Sequence, residues 1–429
     1  VSMEQQAPAR KPNSECKIIL GMTGRSDSAV AAYLLKRQGY QVIGLTIDYF
    51  GQSGDQTVSS SHHSLGQIAK CYIQSFEQVK KLCDQMEIVH YAASAVERFK
   101  DVVLDQVVAA RLSGREVSTH YLCSQLTLDI LVEKADLLEA EFIATGHYAK
   151  LMHDPIHNQY NIYTVNGLEY DQSSLLANVT QDQLSKLFLP LSDMRKVDVH
   201  SLVKHLQLPV ESKETTCDHC FLYNRSFNTY LAEQVPSSLC RSGNYYFERW
   251  GGDSLGEHKG YQNHWIGEKD LLNKEGESIN RDLEVVAISH RNGDVVLGSR
   301  DKYSYDYCVL SYIQIHIWLD QSVPIECYLM LAPDAERLPV TISFKSGSTG
   351  VVRFKSAQQG VLEQGKFIVL YNRPGPGGKL LLSGIMTAHG EMHEFDQTVA
   401  AKHSSNSNTE EYDFGDDEEA EDEQSTDHS

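Results

Sequence analysis

The run Cys16-Lys-Ile-Ile-Leu-Gly21-Met-Thr-Gly-Arg-Ser-Asp27-Ser-Ala-Val-Ala-Ala-Tyr-Leu-Leu-Lys-Arg-Gln38-Gly-Tyr-Gln41-Val-Ile-Gly-Leu-Thr-Ile47 decides the fold. Residues 16–21 are a short apolar run closed by glycine, the pattern of a buried strand entering a tight turn. Residues 28–38 set Val30, Tyr33, Leu34 and Leu35 at helical spacing, and Gly39 closes the helix. Residues 41–47 are a second strand. Strand, glycine turn, helix and strand make a βαβ unit, which implies a parallel sheet.

Downstream the pattern continues. Helices are expected over 76–86, 96–112 and 126–140, and strands over 87–91 and 141–146, the last ending in Gly146. The fold class is therefore α/β, a doubly wound parallel sheet that binds ligands at the carboxyl ends of its strands. After about residue 225 the texture changes. Residues 240–268 are rich in Gly, Tyr, Trp and His and suggest a small mixed or β module. From 282 to 398, short alternating runs separated by turn residues predict an all-β barrel or sandwich. The expected layout is a flexible lead-in at 1–15, an α/β domain at 16–225, a central module at 226–281, a β-barrel at 282–398 and a disordered acidic tail at 399–429.

At 429 residues the chain is long enough for two or three domains, and 41% hydrophobic with 22% charged residues is the balance of a globular protein. No apolar run approaches the roughly 20 residues of a spanning helix, so no membrane partner is expected. The formal charge is −20, but eleven acids lie in residues 410–427, which leaves −9 on the rest. Polyanion binding driven by overall charge is not expected; a local basic patch is not excluded. The nine cysteines are odd in number and follow no apolar secretory signal, so they read as reduced, reactive or metal-binding thiols.

Three constellations carry chemistry. The loop Gly21, Met22, Thr23, Gly24, Arg25, Ser26, Asp27, Ser28 joins a strand to a helix. Backbone amides of a glycine turn, a helix N-terminus and hydroxyl donors suit phosphate, and Asp27 suits magnesium or a structural role. Plain architecture is the competing reading. Cys123 opens a helix, where a thiolate is favoured, although a lone cysteine is more often a small buried hydrophobe. Cys217 and Cys220 form a CxxC pair, a metal half-site, a redox pair or two unrelated thiols.

Together these motifs resemble the tRNA-specific 2-thiouridylase family. Residues 23–28 look like the SGGxDS loop of ATP-dependent adenylating enzymes. Gly114-Arg115 with Leu122-Cys123 resembles the family's GR…LC segment, and Ala144-Thr-Gly-His-Tyr-Ala149 is identical to its ATGHYA. Asp171-Gln172-Ser173 matches DQS, Leu189-Pro190-Leu191 resembles FPL, and Cys220-Phe221-Leu222 with Arg225 and Phe227 resembles CFIxxRxF. Gly256, His258 and Gly260 followed by Trp265-Ile266-Gly267 resemble GxHxG…TIG.

The resemblance implies a PP-loop domain of the adenine nucleotide alpha hydrolase-like kind. It implies a tRNA-uridine 2-sulfurtransferase using ATP and Mg2+. ATP would sit on Gly21, Met22, Thr23, Gly24, Arg25, Asp27 and Ser28, with Ile47, Gly146 and His147 lining the site. The wobble uridine would be adenylated, Cys220 would carry sulfur as a persulfide, and Cys123 would resolve it. Arg115, Asp171, Gln172, Arg225 and His258 would meet tRNA. The expected partners are tRNA and a sulfur-relay donor protein, with the chain itself monomeric. A mitochondrial location is expected, with the cytoplasm as the alternative.

The departures are specific. Arg25 replaces the loop's second glycine, His120 stands where the family's catalytic acid is expected, and Ser124 replaces an asparagine. They support a rival: a weakened or inactive homologue acting as an RNA-binding or assembly protein. A third reading gathers His120, Cys123, Cys217 and Cys220 as a His/Cys set for zinc or an iron–sulfur cluster.

Overall fold

The computed structural model describes residues 11–49, 51, 76–210, 227–279, 281–332, 335–345 and 348–391. The expected lead-in before residue 11, most of the Gly/Ser/His-rich loop at 51–66 and the acidic tail lie outside the described residues.

The α/β domain is built on β1 (Lys17–Gly21), α1 (Ser26–Arg37), β2 (Gln41–Asp48), α2 (Phe76–Gln85), β3 (Val89–Ser94), α3 (Val96–Phe99), α4 (Asp105–Leu112), α5 (Thr119–Leu137) and β4 (Phe142–Ala144). A hairpin of β5 (Lys150–Asp154) and β6 (Gln159–Tyr163) follows, then α6 (Gln181–Lys186), β7 (Leu187–Phe188) and α7 (Lys196–His205). The parallel sheet has the order β3-β2-β1-β4-β7. Its centre is β1, whose Ile18, Ile19 and Leu20 are fully buried, as a strand covered on both faces requires. Ile18 and Leu20 pack with Val30 and Leu35 of α1, Leu82 of α2 and Val199 of α7. Ile19 faces the other layer, with Phe99, Val103, Leu128 and Leu131. From β1 the chain runs to one side for β2 and β3, then returns to the other side at β4. The carboxyl ends of β1 and β4 therefore flank the topological switch point, the crevice where such sheets bind ligands.

The helix expected over 96–112 is present, but it is not uniform. Residues Lys100–Leu104 form a π turn between α3 and α4. The next helix begins at Thr119, about two turns before the expected residue 126. Its buried residues include Tyr121, Ser124, Leu126, Leu128, Ile130, Leu131 and Ala135, spread around the helix, so no single apolar stripe marks its start.

After α8 (Phe227–Gln234) comes the central module: β8 (Gly243–Phe247), β9 (Ser254–His258), β10 (Glu284–Ile288) and β11 (Val295–Gly298), in sheet order β10-β11-β8-β9. Here the structure differs from the sequence reading. The strands β10 and β11 join the central sheet rather than the barrel, because β11 pairs in parallel with β8. The barrel itself is closed, in the order β12 (Ser304–Ile315), β15 (Gly350–Gln359), β14 (Leu338–Phe344), β13 (Ile325–Met330), β16 (Phe367–Tyr371) and β17 (Leu380–Gly390). Closure pairs every strand on both sides and leaves no sheet edge. Among the described residues no helix is long and apolar enough to cross a membrane.

Candidate nucleotide and sulfur site

The loop after β1 folds back on itself through its hydroxyl groups. Ser28 Oγ accepts a hydrogen bond from the Thr23 amide (3.3 Å), lies 3.1 Å from Thr23 Oγ1 and donates to the Arg25 carbonyl (3.1 Å). The Arg25 amide reaches Thr23 Oγ1 at 3.4 Å. Gly24 takes φ +77°, a left-handed conformation that suits glycine. Arg25 does not: its φ is −93° and its ψ 168°, an extended N-cap backbone open to any residue. Arginine at this position therefore carries no backbone strain, and the half-buried side chain stands at the entrance of α1. Helix α1 brings its first amides and positive dipole end to the same place.

The second wall comes from the segment after β4. A Cβ on Gly146 would lie 3.0 Å from the Asp27 carbonyl carbon and 3.1 Å from the Ser28 nitrogen. Glycine there lets the two strand ends close on the loop. His147 follows, with Nδ1 2.8 Å from Thr145 Oγ1. Burial pushes its pKa down to about 4, against an upward pull from Asp27, so the ring is neutral at pH 7. Ile47 sits at the end of β2 and is buried against the α5 layer, with Ile19 and Ala93. Met22 is buried too, and its carbonyl accepts from Thr46 Oγ1 (2.9 Å).

Asp27 is the electrostatic centre. It receives the Tyr148 hydroxyl at 2.8 Å and Lys196 Nζ at 2.9 and 2.7 Å. Lys196 opens α7 and also lies 5.0 Å from the Tyr148 ring centroid. The sequence reading missed this lysine, which is 169 positions from its partner. Hydroxyls, helix N-terminus, Lys196 and the neutral His147 fit a triphosphate. Asp27 would meet a magnesium ion through the carboxylate that also holds Lys196.

The thiol side is defined by α5. Because α5 precedes β4 in a parallel sheet, its N-terminus lies at the carboxyl end of the strands, the same end as the loop. His120 and Cys123 occupy its first two turns, both half-buried, and Cys123 packs against the core beneath. The Cys123 carbonyl accepts from Thr127 Oγ1 (2.7 Å), which in turn meets Tyr49 Oη at 2.7 Å. Cys217, Cys220 and Arg225 lie outside the described residues. The His/Cys metal set thus has two of its four members there. Among the described residues no group of three or more His, Cys, Asp or Glu is placed to hold a metal ion.

The residues assigned to RNA divide. Arg115 is exposed beside the Gly114 turn, whose φ is +64°. Gln172, Asp171 and His258 look inward instead. Gln172 exchanges bonds with Tyr148, its Oε1 accepting from the Tyr148 amide at 3.0 Å and its amide donating to the Tyr148 carbonyl at 2.8 Å. The Asp171 side chain is 5% exposed and accepts from the Val165 amide (3.0 Å), Ser173 Oγ (2.7 Å) and Arg337 Nη2 (3.3 Å). Ser173 Oγ also meets Tyr371 Oη at 2.9 Å, and Arg337 lies 4.0 Å over the Tyr371 ring. The Asp-Gln-Ser run thus clamps the barrel to the segment that carries His147. His258 is 1% exposed, accepts from the Gly260 amide at 3.1 Å and packs at a tilt on Tyr245 and edge-on to His264. In this conformation it orders the central module's core.

The sheet, the hydroxyl loop and the attached barrel define a PP-loop type α/β protein. A family model described as the tRNA methyl transferase HUP domain matches residues 16–224. The chain is 31% identical over 286 residues to the tRNA-specific 2-thiouridylase MnmA of Clostridium beijerinckii, a match covering 66% of this chain and 76% of that one. It is 31% identical to the MnmA 2 of Caldanaerobacter subterraneus over 71% of this chain and 80% of the relative. With the MnmA of Clostridium botulinum, strain Eklund 17B, it shares 28% over 86% of this chain and 96% of the relative. The chain belongs to the tRNA-specific 2-thiouridylase family.

Proposed function

We propose that this protein is an ATP-dependent tRNA-uridine 2-sulfurtransferase. The observation that carries the reading is the convergence of Thr23, Ser28, Asp27, Lys196 and Gly146 at the β1/β4 switch point, with the α5 N-terminus bearing Cys123 at the same end of the sheet. ATP supplies the adenylyl group that makes the uridine C2 oxygen a leaving group. Thr23, Ser28, Lys196 and the amides of α1 hold phosphate charge; Arg25, free of strain, adds a guanidinium suited to phosphate oxygens. His147, kept neutral, orients through Thr145.

The sulfur steps rest on the motif around Cys220. A persulfide on Cys220 attacks C2 through its terminal sulfur, and AMP departs with the former C2 oxygen. The Cys123 thiolate then attacks the Cys220 sulfur. The S–S bond breaks, the outer sulfur stays on C2 and a Cys123–Cys220 disulfide forms, which a thiol reductant reopens. His120, three residues before Cys123 on the same face, would serve in proton transfer.

The test is in vitro thiolation of an unmodified tRNA transcript with ATP and a persulfide donor, for wild type and for Cys220→Ser and Cys123→Ser. Thiolation lost in Cys220→Ser supports the reading. Sulfur transfer that survives loss of Cys220 overturns the mechanism, and folded protein that binds RNA but no ATP establishes the non-catalytic alternative.

A further inference from the structure

Six residues, 113–118, connect α4 to the helix that bears His120 and Cys123, and all three parts of the molecule close on this connection. On the central-module side, the Leu112 carbonyl accepts from Tyr261 Oη at 2.7 Å, and Arg111 Nη1 donates to the His264 carbonyl at 3.3 Å. On the barrel side, the Glu116 amide donates to the Gln364 carbonyl at 2.7 Å, Lys366 Nζ meets Glu116 Oε2 at 3.5 Å, and Arg111 Nη1 lies 3.4 Å from Glu363 Oε1. A Cβ on Gly365 would stand 3.2 Å from Arg115 Cβ and closer still to the Glu116 carbonyl oxygen, so the barrel turn fits the connection with no room for a larger residue. Tyr121, in the first turn of α5, packs on Phe367 of the barrel with ring centroids 3.9 Å apart.

The Arg111 side chain touches both outer modules. It is 16% exposed and that of Glu363 11%. Desolvation pushes the Glu363 carboxyl up to about 7 despite Arg111 and Lys366. An ion pair this dry is a poor source of stability, because desolvation offsets most of the attraction. It does fix geometry, since a planar guanidinium holds two partners in a set direction.

We infer that Arg111 is a positioning residue: by joining the central module and the barrel at the root of α5, it sets the orientation of Cys123. The inference rests on the role proposed for Cys123 and extends it, since RNA seated on the outer modules would bear on the thiol through this joint.

The test reads the thiol itself, on the full chain. The rate of Cys123 alkylation by iodoacetamide is followed on its own peptide by mass spectrometry, with and without an unmodified tRNA transcript. Arg111→Met should change the rate without RNA at least threefold and remove any response to RNA. Arg111→Lys should restore much of both, and Arg98→Met, at the exposed Arg98–Glu133 pair, should match wild type. Lys366→Met, which cuts a peripheral link, should shift the rate in the same direction and serves if Arg111→Met does not fold. Folded Arg111→Met, or in its absence Lys366→Met, with a wild-type Cys123 rate overturns the inference. The rate without RNA decides this even if wild type thiolates nothing, an outcome that sinks the sulfurtransferase reading alone.

Discussion

Replacing Arg337 by methionine removes the guanidinium that faces Asp171 across the join between barrel and α/β domain. The two side chains are 7% and 5% exposed, so water cannot take over. Breaking a buried pair by deleting one partner costs about 3–5 kcal/mol. The lower end applies here. Asp171 keeps the Val165 amide and Ser173 Oγ, and burial already holds its carboxyl above the usual value, so it can escape its charge by binding a proton. A loss of about 3 kcal/mol lowers the melting temperature of a unit of this size by roughly 6–12 °C. Asp171→Asn should cost less, about 1–2 kcal/mol, because Arg337 keeps the Tyr371 ring and the Pro374 carbonyl. The double variant should lose less than the sum. The pH dependence has a definite sign. A carboxyl whose folded pKa is raised favours folding below its unfolded value and loses that contribution as pH rises, so the Arg337→Met deficit should grow as pH rises above the ordinary carboxylate range. Thermal melts of the two single variants and the double variant, with tRNA binding measured alongside, decide the matter. Melts within 2 °C of wild type, or strictly additive losses, refute the clamp. RNA affinity lost in Asp171→Asn but kept in Arg337→Met would return Asp171 to the RNA interface.

Three further outcomes are expected. Lys196→Met should weaken ATP binding by about tenfold to a hundredfold, the worth of one charge-assisted contact of 1.5–3 kcal/mol, as read by calorimetry; affinity within twofold of wild type removes Lys196 from the site. Gly146→Ala pushes a methyl group against the start of α1 and should cost about 1–3 kcal/mol in urea unfolding together with a clear loss of ATP affinity; wild-type behaviour on both counts would show that the strand end and loop are not in close contact. His258 and His316 are buried and held down to about 4, so the unfolded chain takes up protons that the folded one refuses. Stability should therefore be full above about pH 6.5 and fall by several kcal/mol as pH drops towards 4; an unchanged urea midpoint between pH 7 and 5 contradicts this.

How much of this was legible in the sequence follows from the range of each signal. The βαβ unit from residue 16 to 47 rests on local periodicity and glycine turns, and it appears within a residue or two at each strand. Gly146 is legible as the glycine that closes a strand, whereas His147 is reached only through the family's ATGHYA motif. The hairpin β10–β11 was recognised as strands but assigned to the wrong sheet: alternation reports that a segment is extended, and its partner, Gly243–Phe247, is about fifty residues away. Lys196 carries no local signal of its role, and only the folded chain puts it on Asp27. Asp171 and Gln172 were legible as a motif but not in role, because a buried clamp and a substrate contact call for the same polar side chains.

The π turn at Lys100–Leu104 has a consequence for the joint above the thiol. One surplus residue in a single turn displaces everything after it by one position, and a regular helix advances about 100° per residue. The phase of α4, and with it the direction of Arg111, therefore includes that one-residue shift. Deleting a single residue from this stretch would straighten the coil and swing Arg111 about a quarter turn away from both neighbours, with no change to any residue at the joint itself.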